Sequence, residues 1–119
     1  MTGEAIVDDG LAGTAELIRA AYGWMSFGTG TTDPTRQDTA LETEVLRKAA
    51  TVTQSGAVVT WTCTVNPGEL NTMITELGVH KAATPTAGDM YRRETREPVL
   101  IDSTHGSTFQ VQTTVGRSA

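Results

Sequence analysis

The sequence predicts a mainly β fold: a single β-sandwich or jelly-roll-like domain of about six strands with one short N-terminal helix, spanning residues 1–119. Three observations carry that expectation. Threonine fills almost a fifth of the positions and is spread along the whole chain. Being β-branched, it suits a pleated, half-exposed strand and lets a sheet face water without a wide apolar patch. Residues 57–65 alternate so that Val59, Trp61, Cys63 and Val65 share one side while Val58, Thr60, Thr62 and Thr64 share the other. By contrast, residues 8–21 carry apolar side chains at helical spacing.

Each element follows from local pattern. In the helix, Leu11, Ala15, Leu17, Ile18 and Ala21 fall on one side, with Asp8 or Asp9 near the start as a cap. Gly10 and Gly13 weaken it by about 1 kcal/mol each relative to alanine, so it needs packing against a sheet to persist. A first strand over 22–28 (Trp24, Met25, Phe27) ends at Gly28 and Gly30, and Asp33-Pro34 fixes a turn in the loop that follows. A single helical turn is expected over 39–44, capped by Asp38, with Leu41 pointing inward. Residues 45–54 form the antiparallel partner of 57–65 through the turn pair Ser55-Gly56. Asn66-Pro67-Gly68 then punctuates, and 74–81 resumes as a strand with Ile74 and Leu77 or Val79 inward. A Thr/Pro/Gly loop over 82–89 leads to two last strands, 90–102 and 108–115.

A chain of 119 residues makes one domain, long enough for a modest core but not for a core plus a deep substrate cleft. Residues 1–8 and 116–119 are expected as flexible or partner-contacting tails. The net charge of −5 argues against a nucleic-acid partner, because phosphate binding needs a positive surface. With no long apolar run and no basic-then-apolar leader, the chain is expected neither to span a membrane nor to carry a secretory signal, and to be made in a cytoplasm. Its single cysteine, Cys63, is expected as a buried, inert thiol.

Motifs for chemistry are sparse. Gly28-Thr29-Gly30 lacks the third glycine of a dinucleotide loop, no GxSxG elbow surrounds Ser26, and Asp8-Asp9-Gly10 is too short for a helix-loop-helix calcium loop. His80 and His105 have no second ligand at metal spacing and no nucleophile beside them in sequence, so both are expected at the surface or in turns. The expectation is therefore no catalytic, cofactor-binding or metal-binding residue. Two stretches are candidates for contact with a partner. One is the charged run containing Arg92, Arg93 and Arg96, read as a solvated edge strand whose guanidinium groups grip carboxylates on a neighbour. The other is the polar loop with Thr29, Thr31, Thr32, Asp33 and Arg36.

The order GLxGxxELIR, an aromatic strand, FGTGTT, DTALxxEVxRK, a Thr/Val hairpin and ITELGVHKA resembles a small module of tailed bacteriophages and tailed archaeal viruses. The matching residues are Gly10, Leu11, Leu17, Ile18, Phe27 to Thr32, Asp38, Thr39, Leu41, Glu44, Arg47, Glu76, Leu77 and Gly78. The module occurs at the front of tail-fibre or tail-collar proteins and as short stand-alone virion proteins. The resemblance implies a non-enzymatic virion structural protein on the exterior of a capsid or tail. A decoration, turret or collar protein is the leading expectation, and a baseplate or tail-fibre attachment module the alternative. Expected partners are the major capsid protein or a tail or baseplate protein, with a homo-oligomer, trimer or pentamer, on the particle. A small carbohydrate-binding β-domain is the rival from another class, and the few aromatic residues support it poorly.

Overall fold

The computed structural model describes residues 5–116. It is mainly β: α1 (Asp8–Ala21) precedes β1 (Trp24–Gly28), β2 (Glu44–Ala49), β3 (Thr51–Ser55), β4 (Val58–Val65), β5 (Thr72–His80), β6 (Met90–Ile101) and β7 (Ser107–Thr114). Sheet A has the order β2-β1-β5-β6 and sheet B the order β3-β4-β7. Every neighbouring pair is antiparallel, and the two sheets form a sandwich.

The strand expected over 45–54 is two strands. Its first half, β2, pairs with β1 in sheet A, and only β3 pairs with β4. The chain turns the corner at Ala50, whose N–H leaves the ladder and donates to the Gly23 carbonyl at 2.9 Å. Strands that pass from one sheet to the other close a sandwich at its corners, and this one supplies the seventh strand.

Between the sheets, Met25 and Phe27 of β1, Ile74, Leu77 and Val79 of β5 and Ile101 of β6 meet Val59, Trp61, Cys63 and Val65 of β4 and Phe109 and Val111 of β7. The alternation read in β4 is the alternation observed, and all four of its inward residues are buried. Phe27 and Phe109 meet edge to face, with ring centroids 5.1 Å apart, a favoured aromatic geometry. Cys63 is buried as expected, and burial pushes its thiol pKa up, away from the reactive thiolate.

The helix is where it was expected but presents a narrower face. Leu11 and Ala15 are buried, and α1 packs against β3 and β4. Leu17 is 71% exposed and Ala21 is exposed as well, because the stripe Leu11-Ala15-Ile18 leaves both off the packed side. The N-cap is Val7, with no side-chain capping bond, and Asp8 and Asp9 sit instead in the first turn, where they face the positive end of the helix dipole.

Candidate functional site

Sheet A has a second, polar buried layer on its outer face. Register and alternation put it there. Met25, Phe27, Leu77 and Val79 point into the core, so Ser26, Gly28, Glu76, Gly78 and His80 point away from it. β2 adds Glu44 and Arg47 beside Gly28 and Ser26, and β6 adds Arg93 beside Gly78. Such a strand face normally meets water. Here the loops 29–43 and 81–89 fold over it, so Ser26, Glu76 and His80 are each 0% exposed.

Glu76 organises the first loop. Its carboxylate accepts N–H bonds from Gly30 at 2.8 Å, Glu42 at 2.9 Å and Thr43 at 2.8 Å, and a fourth from Arg93 Nε at 2.9 Å. Burial alone would raise its pKa. The bonds from Thr43, Arg93, Glu42 and Gly30 outweigh burial and hold it below the usual carboxylate value. Arg93 then reaches on to Asp38 Oδ2 at 3.0 Å and to the Thr32 carbonyl at 2.9 Å. Gly28 and Gly30 are glycine for space, since a Cβ at either would overlap the Glu76 carboxylate and the returning chain.

This network removes the helical turn expected over 39–44. The N–H groups of Glu42 and Thr43 are drawn to Glu76 rather than to carbonyls of a helical turn, while Leu41 still points inward. Asp38 accepts from Thr35 N and Thr35 Oγ1, both at 3.0 Å, and so closes a turn instead of capping a helix. Glu42, which faces outward, takes the N–H groups of Thr31 at 2.9 Å and Thr32 at 3.3 Å.

His80 belongs to a second cluster and is not the surface residue expected. Its Nε2 lies 2.6 Å from Ser26 Oγ and its Nδ1 3.4 Å from Asp89 Oδ1. Arg47 joins Asp89 at 2.7 Å, Glu44 through two bonds at 2.8 and 2.9 Å, and the Ala82 carbonyl at 2.9 Å. A cleft of about 450 Å³ opens beside it, bounded by Glu44, Arg47, His80 and the turn 85–89. Burial, and then the Arg47 charge 3.5 Å from Nε2, lower the His80 pKa against the opposing pull of Asp89. The ring is therefore neutral, with Nδ1–H toward Asp89 and Nε2 accepting from Ser26.

Hydroxyl, imidazole and carboxylate here stand in the order of a hydrolytic triad, but Ser26 Oγ is enclosed. A Cβ placed on Gly78 would overlap both Ser26 Oγ and His80 Nε2 and press on Leu41, and neither Ser26 nor His80 is exposed, so the pair is closely covered. Among the described residues, no buried side-chain polar atom lacks a hydrogen-bond partner, and no group of three His, Cys, Asp or Glu is placed to hold a metal ion. The arrangement holds loops; its donors and acceptors face each other.

A lowered histidine pKa has a definite sign. The unfolded chain binds a proton near 6.5 and the folded chain only below that, so the contribution is complete above pH 6.5 and is lost as pH falls toward the folded value. The melting temperature is expected to fall between about pH 7.5 and about pH 5.5. His80→Gln, neutral throughout, should flatten that stretch of the curve. An unchanged slope in the variant would mean that His80 is not the group responsible.

The contact candidates fall on separate surfaces. Thr31, Thr32, Asp33 and Arg36 are exposed at the loop tip, and Thr29 is half-buried, its N–H held by the Thr43 carbonyl at 3.0 Å. β6 is an edge strand, as expected, but its three arginines diverge. Arg93 points to the polar layer, where its side chain is 4% exposed, so the solvated grip foreseen for it is replaced by an internal one. Arg92 and Arg96 are exposed and lean over β7, with Arg92 Nη1 3.5 Å from Thr113 Oγ1 and the Arg96 guanidinium 5.1 Å from the Phe109 ring. His105 is exposed in a turn, as expected, beside Asp102, whose pKa is lowered to about 2 mainly by the N–H of Thr104 and the His105 ring.

Compared with known proteins, the chain matches no family model and no curated protein.

Proposed function

We propose that this chain is a non-enzymatic structural protein of a tailed-virus particle, a decoration, turret or collar protein that presents the loop 29–43 on a rigid sandwich. One observation carries the proposal. The residues on which the resemblance to the tailed-virus module rests are scattered through the sequence, yet Gly28, Gly30, Asp38 and Glu76 converge on the network that fixes this loop, while Glu44, Arg47 and Gly78, with Leu41 beside Gly78, meet in the adjoining cluster that holds the loop 81–89. Each has a physical task there: room for a carboxylate, a counter-ion for a buried arginine, or a cover over the layer. A motif that encodes the anchoring of a loop fits a protein whose work is contact.

What remains for a partner is the exposed loop tip and the pair Arg92 and Arg96, positive groups on an acidic chain. Guanidinium groups suit carboxylates on a neighbouring acidic subunit. Particles purified from cells that make the chain are expected to retain it in fixed proportion to the major capsid or tail protein. Added to particles lacking it, the Arg92→Glu/Arg96→Glu protein should bind at reduced occupancy while melting as the parent does, because surface charge changes rarely exceed about 0.5 kcal/mol in folding. Absence of the chain from washed particles would refute the proposal.

A further inference from the structure

Among the described residues, four strands end the two sheets: β2 and β6 in sheet A, β3 and β7 in sheet B. An unpaired edge offers its N–H and C=O groups to another chain, and proteins guard such edges with charge, proline, bulges or shortness. β2 carries Glu44, Arg47 and Lys48, and β3 is only 5 residues long. β6 carries Arg92, Arg93, Glu94, Arg96, Glu97 and Pro98, and register shifts interrupt its ladder with β5. β7 has none of these guards. Its 8 residues, STFQVQTT, contain no charge and no proline, and its ladder with β4 runs without a register shift from Ser107 to Thr114.

We propose that the open edge of β7 is an interface with a second copy of this chain, the two β7 strands pairing antiparallel about Gln110 and joining two three-stranded sheets into one of six. Self-pairing there sets no like charges together. On the outer face it places Gln110 opposite Gln110 and Thr108 opposite Gln112, residues that can hydrogen-bond across the seam. On the inner face Phe109 stands against Val111.

The neighbouring β6 strand selects a second copy over an unrelated acidic strand. Arg92 touches Thr113 and Arg96 lies over Phe109, so counting along the two oppositely running strands sets Thr95 above Gln110, at the middle of β7. A two-fold axis through Gln110 therefore passes close to Thr95 and turns Arg96 of each copy toward Glu94 of the other. An acidic strand from elsewhere would satisfy the arginines but oppose Glu94 and Glu97. A self-complementary edge closes at two copies, so this association is a dimer and not the trimer or pentamer expected from the resemblance.

The test is made in solution and is independent of any role in a virion. Sedimentation velocity on the purified chain, from about 1 µM to about 200 µM, should show a concentration-dependent dimer. Gln110→Lys sets like charges opposite each other across the axis and should raise the dissociation constant at least about tenfold, as should Gln110→Glu. Both variants should keep the parental melting temperature when extrapolated to low concentration, because Gln110 is exposed. An equimolar mixture of the two should recover the dimer through Lys-Glu pairing. A parent chain monomeric over the whole range overturns the proposal, as does a dimer indifferent to both substitutions or one that the mixture fails to restore.

Discussion

Glu76→Ala is expected to leave the chain largely unfolded at room temperature or to unfold it with slight heating. The substitution removes the acceptor for three backbone N–H groups, those of Gly30, Glu42 and Thr43, and the counter-ion of an enclosed guanidinium. A buried donor left without an acceptor costs about 1–3 kcal/mol, and water reaching Glu42 and Thr43 lessens the sum, so the loss is on the order of 5 kcal/mol. A domain of this size has roughly 5–15 kcal/mol in all. Glu76→Gln keeps one oxygen in place and should lose about half as much. Urea denaturation supplies the stability, and hydrogen exchange at the Gly30 and Thr43 amides supplies the locality: those two should exchange fast in any fraction that stays folded. Parental stability in Glu76→Ala, or continued protection of both amides, would mean that the carboxylate does not hold the loop.

The acid sensitivity of this network has the same origin. Glu76 has its pKa lowered in the fold, so its contribution is present above the unfolded value near 4.5 and is lost as pH falls through the folded one. Asp89 follows the same rule: burial would raise it, and hydrogen bonds from Arg47 and His80 outweigh that. Arg93→Glu would place a third carboxylate beside Glu76 and Asp38. Charge reversal along β6 therefore spares the fold at Arg92 and Arg96 but not at Arg93, which separates a test of docking from a test of folding.

How far the sequence foretells this depends on how local each cause is. The inward face of β4 was legible because the period of a strand is written in adjacent residues, and Val59, Trp61, Cys63 and Val65 obey it without exception. The corner at Ala50 was not, because Leu46, Lys48, Ala50, Val52 and Gln54 keep one parity through it. The same side of the chain stays inward while the partner strand changes from β1 to β4. Glu76, Gly78 and His80 have the pattern of a solvated strand face, and what buries them are loops elsewhere in the chain, which no local period announces. Asp38 has the local signature of a helix cap and lost that role to Glu76, whose carboxylate takes the amides of Glu42 and Thr43. The residues that carry the resemblance include Gly28, Gly30, Asp38, Glu44, Arg47, Glu76 and Gly78 of the polar layer but not Ser26, His80, Asp89 or Arg93, and their spacing does not reveal how they meet.

Trp61→Ala is expected to produce the other large loss, by a different mechanism. Trp61 is the largest fully buried side chain of the described residues, and it faces Val52 of β3 and Val111 of β7 in register. Its Nε1–H donates to the Tyr22 carbonyl at 2.8 Å, tying the end of α1 to sheet B, and its ring centroid lies 6.0 Å from that of Tyr91. Truncation removes the apolar contact and leaves a cavity that the two sheets cannot close without shifting register, a combination that costs roughly 3–5 kcal/mol. The melting temperature should fall by more than about 10 °C. Trp61→Phe separates the two contributions: it keeps most of the volume and deletes only the N–H, so it should lose about 1–2 kcal/mol, from the orphaned Tyr22 carbonyl and a smaller void. Near-ultraviolet circular dichroism followed through thermal unfolding measures both variants. A Trp61→Ala protein that melts cooperatively at the parental temperature would remove Trp61 from the core, and with it the register of β3, β4 and β7 on which the six-stranded pairing about Gln110 depends.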